Sequence, residues 1–430
     1  MKYQKALEKY FDENMEEILK DLDNIISIES VAAAPCKNNK PFGGGSAKAL
    51  GWAEIFMEKI GMSVKNFDNY AVRGDFLPEG QADLAVLAHL DTVPAGEGWS
   101  YPPFKLTVKD GVLYGRGAID DKGPAVAVLW TAKAIRDLKI PVKNFRLIFG
   151  GNEENGCEDM AYYEKCEPFP KMVFTPDGSF PVLNCEKGMV HLTFSAPFED
   201  SLITSIEGGS VINAIPDMCV VGFGNEANIY KGKSAHGSRP ENGVNAISEF
   251  LRDSWAEREP LLGSLKRLFP YGEYDGKSCG LGFEDDISGK MTCALTQLNT
   301  VDGRLCGGID IRFPIDRTYD EISGIIKDAL ENAGFTIDKC EGMEPHYVDE
   351  NSDFVQTLLR VYENIKGEKG YCIAEGGITY VHNTEGAVAF GAEFPEENNN
   401  MHGDDEHITM ETFKYNLNMY ANAITELCGI

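Results

Sequence analysis

Leu84–Gly96, LAVLAHLDTVPAG, is the stretch that decides how this chain is read. It opens as a run of small apolar residues with the length and composition of a buried strand. It closes on His89-Leu90-Asp91, just before turn residues. Residues two apart on a strand share a face, so this spacing sets an imidazole beside a carboxylate at the strand's end. A carboxylate next to a histidine can hold the Nδ1–H, fix the tautomer and leave Nε2 for a metal ion. Many buried His-x-Asp pairs only satisfy each other, so the weight of this one comes from its surroundings in the chain.

Downstream, Trp99–Phe104 reads as a proline-stiffened loop, and Lys105–Val108 with Val112–Tyr114 as a hairpin turned at Asp110-Gly111. The segment 115–124, GRGAIDDKGP, then leads into a helical apolar run, Ala125–Leu138. Glycines and a proline around two adjacent aspartates describe a constrained loop at a helix N-terminus. Taken singly, Asp120 and Asp121 would be read as helix caps. Phe145–Phe149 is a second buried strand, running out into GGNEENG at 150–156, where neighbouring carboxylates project in different directions. Met172–Phe174 is a third, ending in Thr175-Pro176-Asp177-Gly178. Strands that each end in histidine or acidic residues belong to an open α/β sheet, whose functional groups gather beyond the strands' carboxyl ends.

Upstream, Met15, Ile18, Leu19, Leu22, Ile25 and Ile26 recur at helical spacing, which predicts an amphipathic first helix. Residues 36–46 read as a loop, Ala47–Ile60 as a helix and Ser63–Arg73 as a strand. From about Asn184 the texture changes. Strands at Val190–Ser195, Met218–Gly224, Ala227–Tyr230, Thr292–Val301, Gly307–Phe313 and Ile337–Cys340 accompany helices at Val244–Trp255 and Tyr319–Ala333. Helix then resumes at Asp353–Ile365, followed by a strand at Ala387–Phe390 and a last helix at Thr412–Cys428. The expected fold is a catalytic α/β domain, with a central mostly parallel sheet and helices on both faces, into which an α+β lid domain is inserted. The expected boundaries are 1–185 and 346–430 for the two parts of the catalytic domain and 186–345 for the lid.

The 430 residues carry 43% hydrophobic and 25% charged side chains, ordinary values for a globular protein, and enough for more than one domain. The net charge of −28 argues against nucleic acid or an anionic membrane as partner, since both select basic patches. Eleven scattered cysteines without a C-x-x-C pair argue against a disulfide scaffold or a thiolate zinc site. The N-terminus lacks a signal-peptide core, and no segment reaches the roughly 18 apolar residues of a membrane span. A cytoplasmic location is expected.

His89, Asp91, Asp120, Glu153, Glu154, Asp177 and His402 all fall just after apolar strands or just before a helix. Two histidines with several carboxylates and no thiolate suit Zn²⁺, Mn²⁺ or Co²⁺. There are more carboxylates than one ion needs, which points to two ions sharing a ligand and a water molecule, with a spare carboxylate as general base.

The motifs HLDTVPAG (89–96), YGRGAIDDKGP (114–124), GGNEENG (150–156), TPDG (175–178), KSAHGSRP (233–240) and MHGDDEHI (401–408) occur in an order that resembles the M20 family of dinuclear metallopeptidases. GGITY (376–380) and VAFGAEFP (388–395) make the bacterial PepV-type dipeptidases the most similar branch. The resemblance implies that Asp120 bridges two divalent ions, zinc first, with manganese or cobalt as alternatives. It implies that His89 and Asp177 complete one site, and Glu154 and His402 the other. Glu153 would take a proton from the bridging water and deliver it to the leaving amine, and Asp91 would orient His89. The peptide bond between Asp120 and Asp121 is expected to be cis. In the lid, His236 would stabilise the oxyanion, while Asn213, Arg312 and the backbone N–H groups of Gly376 and Gly377 would hold the substrate, Arg312 taking its carboxylate bidentately. His191, His346, His382 and His407 keep a structural reading.

Two departures from the resemblance bear on assembly and substrate. Asn213 and His236 lie closer together than in PepV-type enzymes, whose enlarged lid keeps them monomeric. The chain is therefore expected as a monomer or a homodimer, with His236 acting in cis or in trans. His382 also stands near where those dipeptidases carry a basic side chain. The expected reaction is metal-dependent hydrolysis of a dipeptide amide bond. The competing readings are deacylation of a small N-acyl amino acid, such as a succinyl or acetyl derivative, and a non-catalytic metal- or peptide-binding protein.

Overall fold

Leu84–His89 is a strand buried along its whole length. It lies parallel to Phe145–Gly150 on one side and to Met172–Thr175 on the other. Its side chains alternate between two cores. Leu84, Val86 and Ala88 join a cluster with residues of the helices Gln4–Ile26, Lys122–Asp137 and Met410–Leu427. Ala85 and Leu87 join a second cluster with Met160 and Tyr163 of the helix Glu158–Cys166. Covering both faces removes any call for polar alternation, which is why the strand reads as continuous apolar sequence.

The computed structural model describes residues 1–36, 39–199 and 201–430. They form two units: Met1–Asn184, Val348–Ile373 and Ile378–Ile430 make the first, and Cys185–Tyr347 with Ala374–Gly377 the second. In the first unit the strand order is Ser63–Phe67, Ala71–Asp75, Phe145–Gly150, Leu84–His89, Met172–Thr175, Ala387–Ala389, Val182–Glu186. The central pairings are parallel and the outer ones antiparallel, so the sheet is mixed. Its parallel centre decides function, because it brings the carboxyl ends of three successive strands to one edge. The register sets His89 opposite Gly150.

The second unit is built on a seven-stranded sheet whose pairings are all antiparallel. Its order is Glu226–Lys231, Met218–Phe223, Ser205–Gly208, Thr292–Val301, Arg304–Phe313, Gly188–Pro197, Thr336–Met343. Val190, Leu192 and Phe194 point into one core while His191 and Thr193 are half-buried, the alternation of a sheet covered on one face.

Three expected elements take a different form, and the strand Ser205–Gly208 and the helices Glu158–Cys166 and Pro260–Leu268 lie outside the sequence reading. The second helix starts at Gly43, inside the expected loop. A Cβ on Gly45 would stand 2.1 Å from the Glu29 carbonyl oxygen, so this glycine marks a close backbone approach and not a break in structure. Ser63–Arg73 is not one strand but the start of a hairpin, Ser63–Phe67 with Ala71–Asp75, reversing at Asp68 and Asn69 with φ of 53° and 58°. Asp and Asn tolerate that left-handed geometry, and the pair was the missed turn signal. The expected helix Val244–Trp255 is two, Ala246–Leu251 and Ser254–Arg258, because the Asp253 side chain caps the second by accepting from the Trp255 N–H. Ala374–Gly377, expected with the C-terminal segment, groups with the second unit.

All eleven cysteines are free. No helix among the described residues is long and apolar enough to cross a membrane. Gly51 lies within the helix Gly43–Lys59, and a Cβ there would meet nothing within 4 Å. Gly51→Ala is therefore expected to raise unfolding stability by about 0.5–1 kcal/mol, read as a higher denaturant midpoint with unchanged slope.

Candidate active site

At the parallel edge of the first unit, Asp120 stands between two histidines. Its Oδ1 is 2.9 Å from His89 Nε2 and its Oδ2 is 2.7 Å from His402 Nε2. Each carboxylate oxygen thus faces a different imidazole. His89 Nε2 also lies 3.7 Å from Asp177 Oδ2, and His402 Nε2 lies 3.2 Å from Glu154 Oε2. Ligand-capable atoms of His89, Asp120 and Glu154 fall within 4.8 Å of one another, and so do those of His89, Glu153 and Asp177. All six residues named from sequence as metal ligands or general base are brought together.

The neighbours that hold them follow from local chain geometry. His89 Nδ1 lies 3.1 Å from the Asp91 carbonyl oxygen and 3.4 Å from Asp91 Oδ1, so backbone and side chain both fix the ring. The Asp91 carboxylate also accepts the N–H groups of Glu153 and Glu154 at 3.1 and 3.2 Å, which ties the first strand's end to the glutamate turn. The bond between Asp120 and Asp121 is cis. Asp121 does not cap the helix Lys122–Asp137; its Oδ2 accepts the His89 N–H at 3.1 Å.

Burial and charge crowding govern the titration of this cluster. Burial, then the charge of Asp177, pushes Glu153 well above the ordinary glutamate range, and burial likewise raises Glu154. Burial works to raise Asp120 too, but hydrogen bonds from His402 and His89 hold it far below the usual carboxylate value. The Asp120 and Glu154 carboxylates push His402 up to about 11. The cluster's physical demand is for positive charge. The residues present fit divalent cations: an oxygen- and nitrogen-rich donor set, and a Glu154 Oε1 that is buried without a hydrogen-bond partner.

In the second unit the substrate residues expected from sequence also converge. Ala214–Ile215 pairs with Ala235–His236, and Gly237 N–H donates to the Asn213 carbonyl oxygen at 2.7 Å, which places Asn213 beside His236. His236 is exposed, and its Nδ1 faces Ser238 Oγ at 2.7 Å and accepts the Ser238 N–H at 3.2 Å. Arg312 is buried. Its Nε and Nη2 donate to Asp310 at 2.9 Å each, and Nη1 donates to the Gly376 carbonyl at 2.8 Å. A Cβ on Gly376 would lie 2.8 Å from Ser238 Cβ, so only glycine lets this loop sit so near the His236 turn. His191 contacts Asp310 Oδ2 at 2.9 Å, as its structural reading expects.

Four supporting residues were missed from sequence. Asp159 Oδ2 accepts the N–H groups of Gly151 and Asn152 at 2.7 and 2.8 Å and the Tyr380 hydroxyl at 2.5 Å. Glu406 and Arg116 form a buried ion pair beside the Asp120 loop. Arg116, Tyr380 and Glu406 stood inside quoted motifs, but only folding shows what each touches. Asp159, in a helical first turn, carried no signal at all.

A protein-family description, peptidase family M20/M25/M40, matches residues 85–426, and the chain belongs to that family. It is a hydrolase of the metallopeptidase type. The Bacillus subtilis protein named "Putative dipeptidase YtjP" is 32% identical to it, over 96% of this chain and 97% of its own length. The Beta-Ala-Xaa dipeptidase of Lactobacillus delbrueckii subsp. lactis is 31% identical, over 95% and 96%. The crystal structure of human carnosine dipeptidase 1 has the same fold, with a TM-score of 0.66 at 16% identity, covering 100% of this chain and 99% of that one.

Gly150 allows the glutamate turn to be anchored, since a Cβ there would lie 2.1 Å from Tyr380 Oη and 2.3 Å from Asp159 Oδ2. Gly150→Ala is expected to lower stability by about 1–3 kcal/mol, as overpacking does, and to cut activity. An unchanged melting temperature would count against the anchor.

Proposed function

We propose that this protein hydrolyses the amide bond of dipeptides at a centre holding two divalent cations, zinc being the ion best suited to the donors. The observation that carries the reading is the split Asp120 carboxylate, with one oxygen toward His89 and the other toward His402. That arrangement suits a bridging ligand, with His89 and Asp177 on one side and Glu154 and His402 on the other. The relatives named as dipeptidases support the substrate class. Two such cations, when bound, polarise the scissile carbonyl and acidify a water molecule.

The chain's own residues do the rest. Glu153 accepts the proton of the attacking water and returns it to the departing amine nitrogen. Burial supports this role, since it makes Glu153 a stronger base than an exposed glutamate. Asp91 keeps the glutamate turn and the His89 ring in place. His236 accepts a hydrogen bond at Nδ1, so a neutral ring carries its proton on Nε2, the donor an oxyanion needs. Arg312 commits three of its five N–H groups within the protein. The two that remain are proposed for the substrate carboxylate, with the N–H groups of Gly376 and Gly377 beside them and Asn213 holding the substrate near His236.

Cation-loaded enzyme assayed on dipeptides and on N-acetyl and N-succinyl amino acids tests the substrate class. Faster turnover of dipeptides is expected. Preference for the acylated compounds would replace this reading with deacylation, and turnover of neither would favour a binding protein. Glu153→Ala is expected to keep its cations, measured by elemental analysis, and to lose at least about 10²-fold in kcat. Full activity in that variant would refute the base assignment. Arg312→Lys retains a charge for Asp310 but loses the planar fork. Its KM for dipeptides is expected to rise about tenfold, as for one charge-assisted hydrogen bond, with little change for C-terminally amidated analogues. Equal changes for both would remove the carboxylate role.

A further inference from the structure

Arg116 and Glu406 have no part in the chemistry just described, yet each side chain is only 1% exposed. Glu406 Oε1 accepts three backbone N–H groups, those of Gly117, Ile119 and Asp120, at 2.9, 3.1 and 3.3 Å. Its Oε2 accepts from Arg116 Nη1 at 2.5 Å. Arg116 Nη2 in turn donates to the Gly403 carbonyl at 3.0 Å and to those of Pro94 and Ala95 at 3.2 and 3.3 Å. One ion pair thereby touches the turn that carries Asp120, the residue after His402, and the segment that follows Asp91.

We infer that the Arg116–Glu406 pair is a positioning clamp for the cation centre, holding the His402 and Asp120 loops at the spacing the ions require. The inference rests on the two-cation reading above. Charge explains why a pair is used. A lone buried carboxylate beside Asp120 would add repulsion, whereas Glu406 neutralised by Arg116 supplies an acceptor for three N–H groups at no net charge. Geometry explains why the cation is arginine. Its planar fork reaches a carboxylate and several carbonyls at once, which the single ammonium of lysine cannot. Backbone conformation gives an independent reason for a clamp. His402 has φ of 62°, left-handed geometry that a non-glycine residue keeps only where its surroundings impose it, and the Arg116 bond to Gly403 lies one residue away.

The test compares the wild-type chain with Glu406→Ala, Glu406→Gln, Arg116→Lys and a core control, Leu7→Ala, each stripped of metal by chelation. Zn²⁺ affinity is measured by competition with a chromophoric chelator, and folding by circular dichroism and melting temperature. Glu406→Ala and Arg116→Lys are expected to weaken Zn²⁺ binding roughly 10- to 100-fold, the range for partners of metal ligands. Glu406→Gln, which keeps an acceptor oxygen for the three N–H groups, should lose less, and Leu7→Ala should bind Zn²⁺ as tightly as the wild-type chain. If Glu406→Ala fails to fold, Arg116→Lys and Glu406→Gln decide. Folded variants that bind Zn²⁺ as tightly as wild type overturn the clamp alone, and so does an equal loss in Leu7→Ala. Failure of the wild-type chain to bind Zn²⁺ overturns the two-cation reading and the clamp with it.

Discussion

The site depends on one electrostatic constraint: Asp91, Asp120, Glu153, Glu154 and Asp177 are gathered within a few ångströms of two imidazoles, largely out of water. Burial raises the proton affinity of such carboxylates, and like charges at that spacing add to the effect. Asp120 escapes because a histidine stands at each of its oxygens. Burial and crowding raise Glu153 and Glu154, and divalent cations of the kind the metallopeptidase family implies would meet that demand for positive charge.

Holding such a group together requires a rigid frame, and the frame is the parallel centre of the first sheet. His89 stands opposite Gly150 in register, so the glutamate turn begins where the histidine strand ends. Supporting carboxylates then act on backbone and not on cations. Asp91 and Asp159 each accept two N–H groups of the 151–154 segment, and Glu406 accepts three of the Asp120 turn. Acidic residues in this chain thus serve two purposes, and the difference lies in what each oxygen faces.

The second unit supplies a contrasting logic. Its antiparallel sheet turns Arg312 toward Asp310 on the same strand, and a glycine loop lies against both Arg312 and the His236 turn. The guanidinium is pre-oriented there by partners that use three of its donors. Orientation of this kind leaves one N–H on each terminal nitrogen uncommitted by these contacts, so the whole fork is not open to a ligand.

Much of this was legible in the chain itself. Apolar runs of strand length, the His-x-Asp spacing and the ordered motifs marked the central strands, the α+β insertion and the side chains that cluster around Asp120, because strand periodicity and turn chemistry are local properties. Local rules erred where one residue type serves two ends. The glycines at 43–45 looked like a loop but begin a helix, and Asp68-Asn69 hid a reversal inside an apparent strand. Asp121 looked like a helix cap but holds His89 in place. Only the tertiary structure decided which acidic side chains face each other and which face backbone N–H groups, since Asp159 reaches Tyr380 across 221 positions and Glu406 reaches Arg116 across 290. Contacts over such distances are set by how strands are ordered in a sheet, and no short window of sequence contains that order.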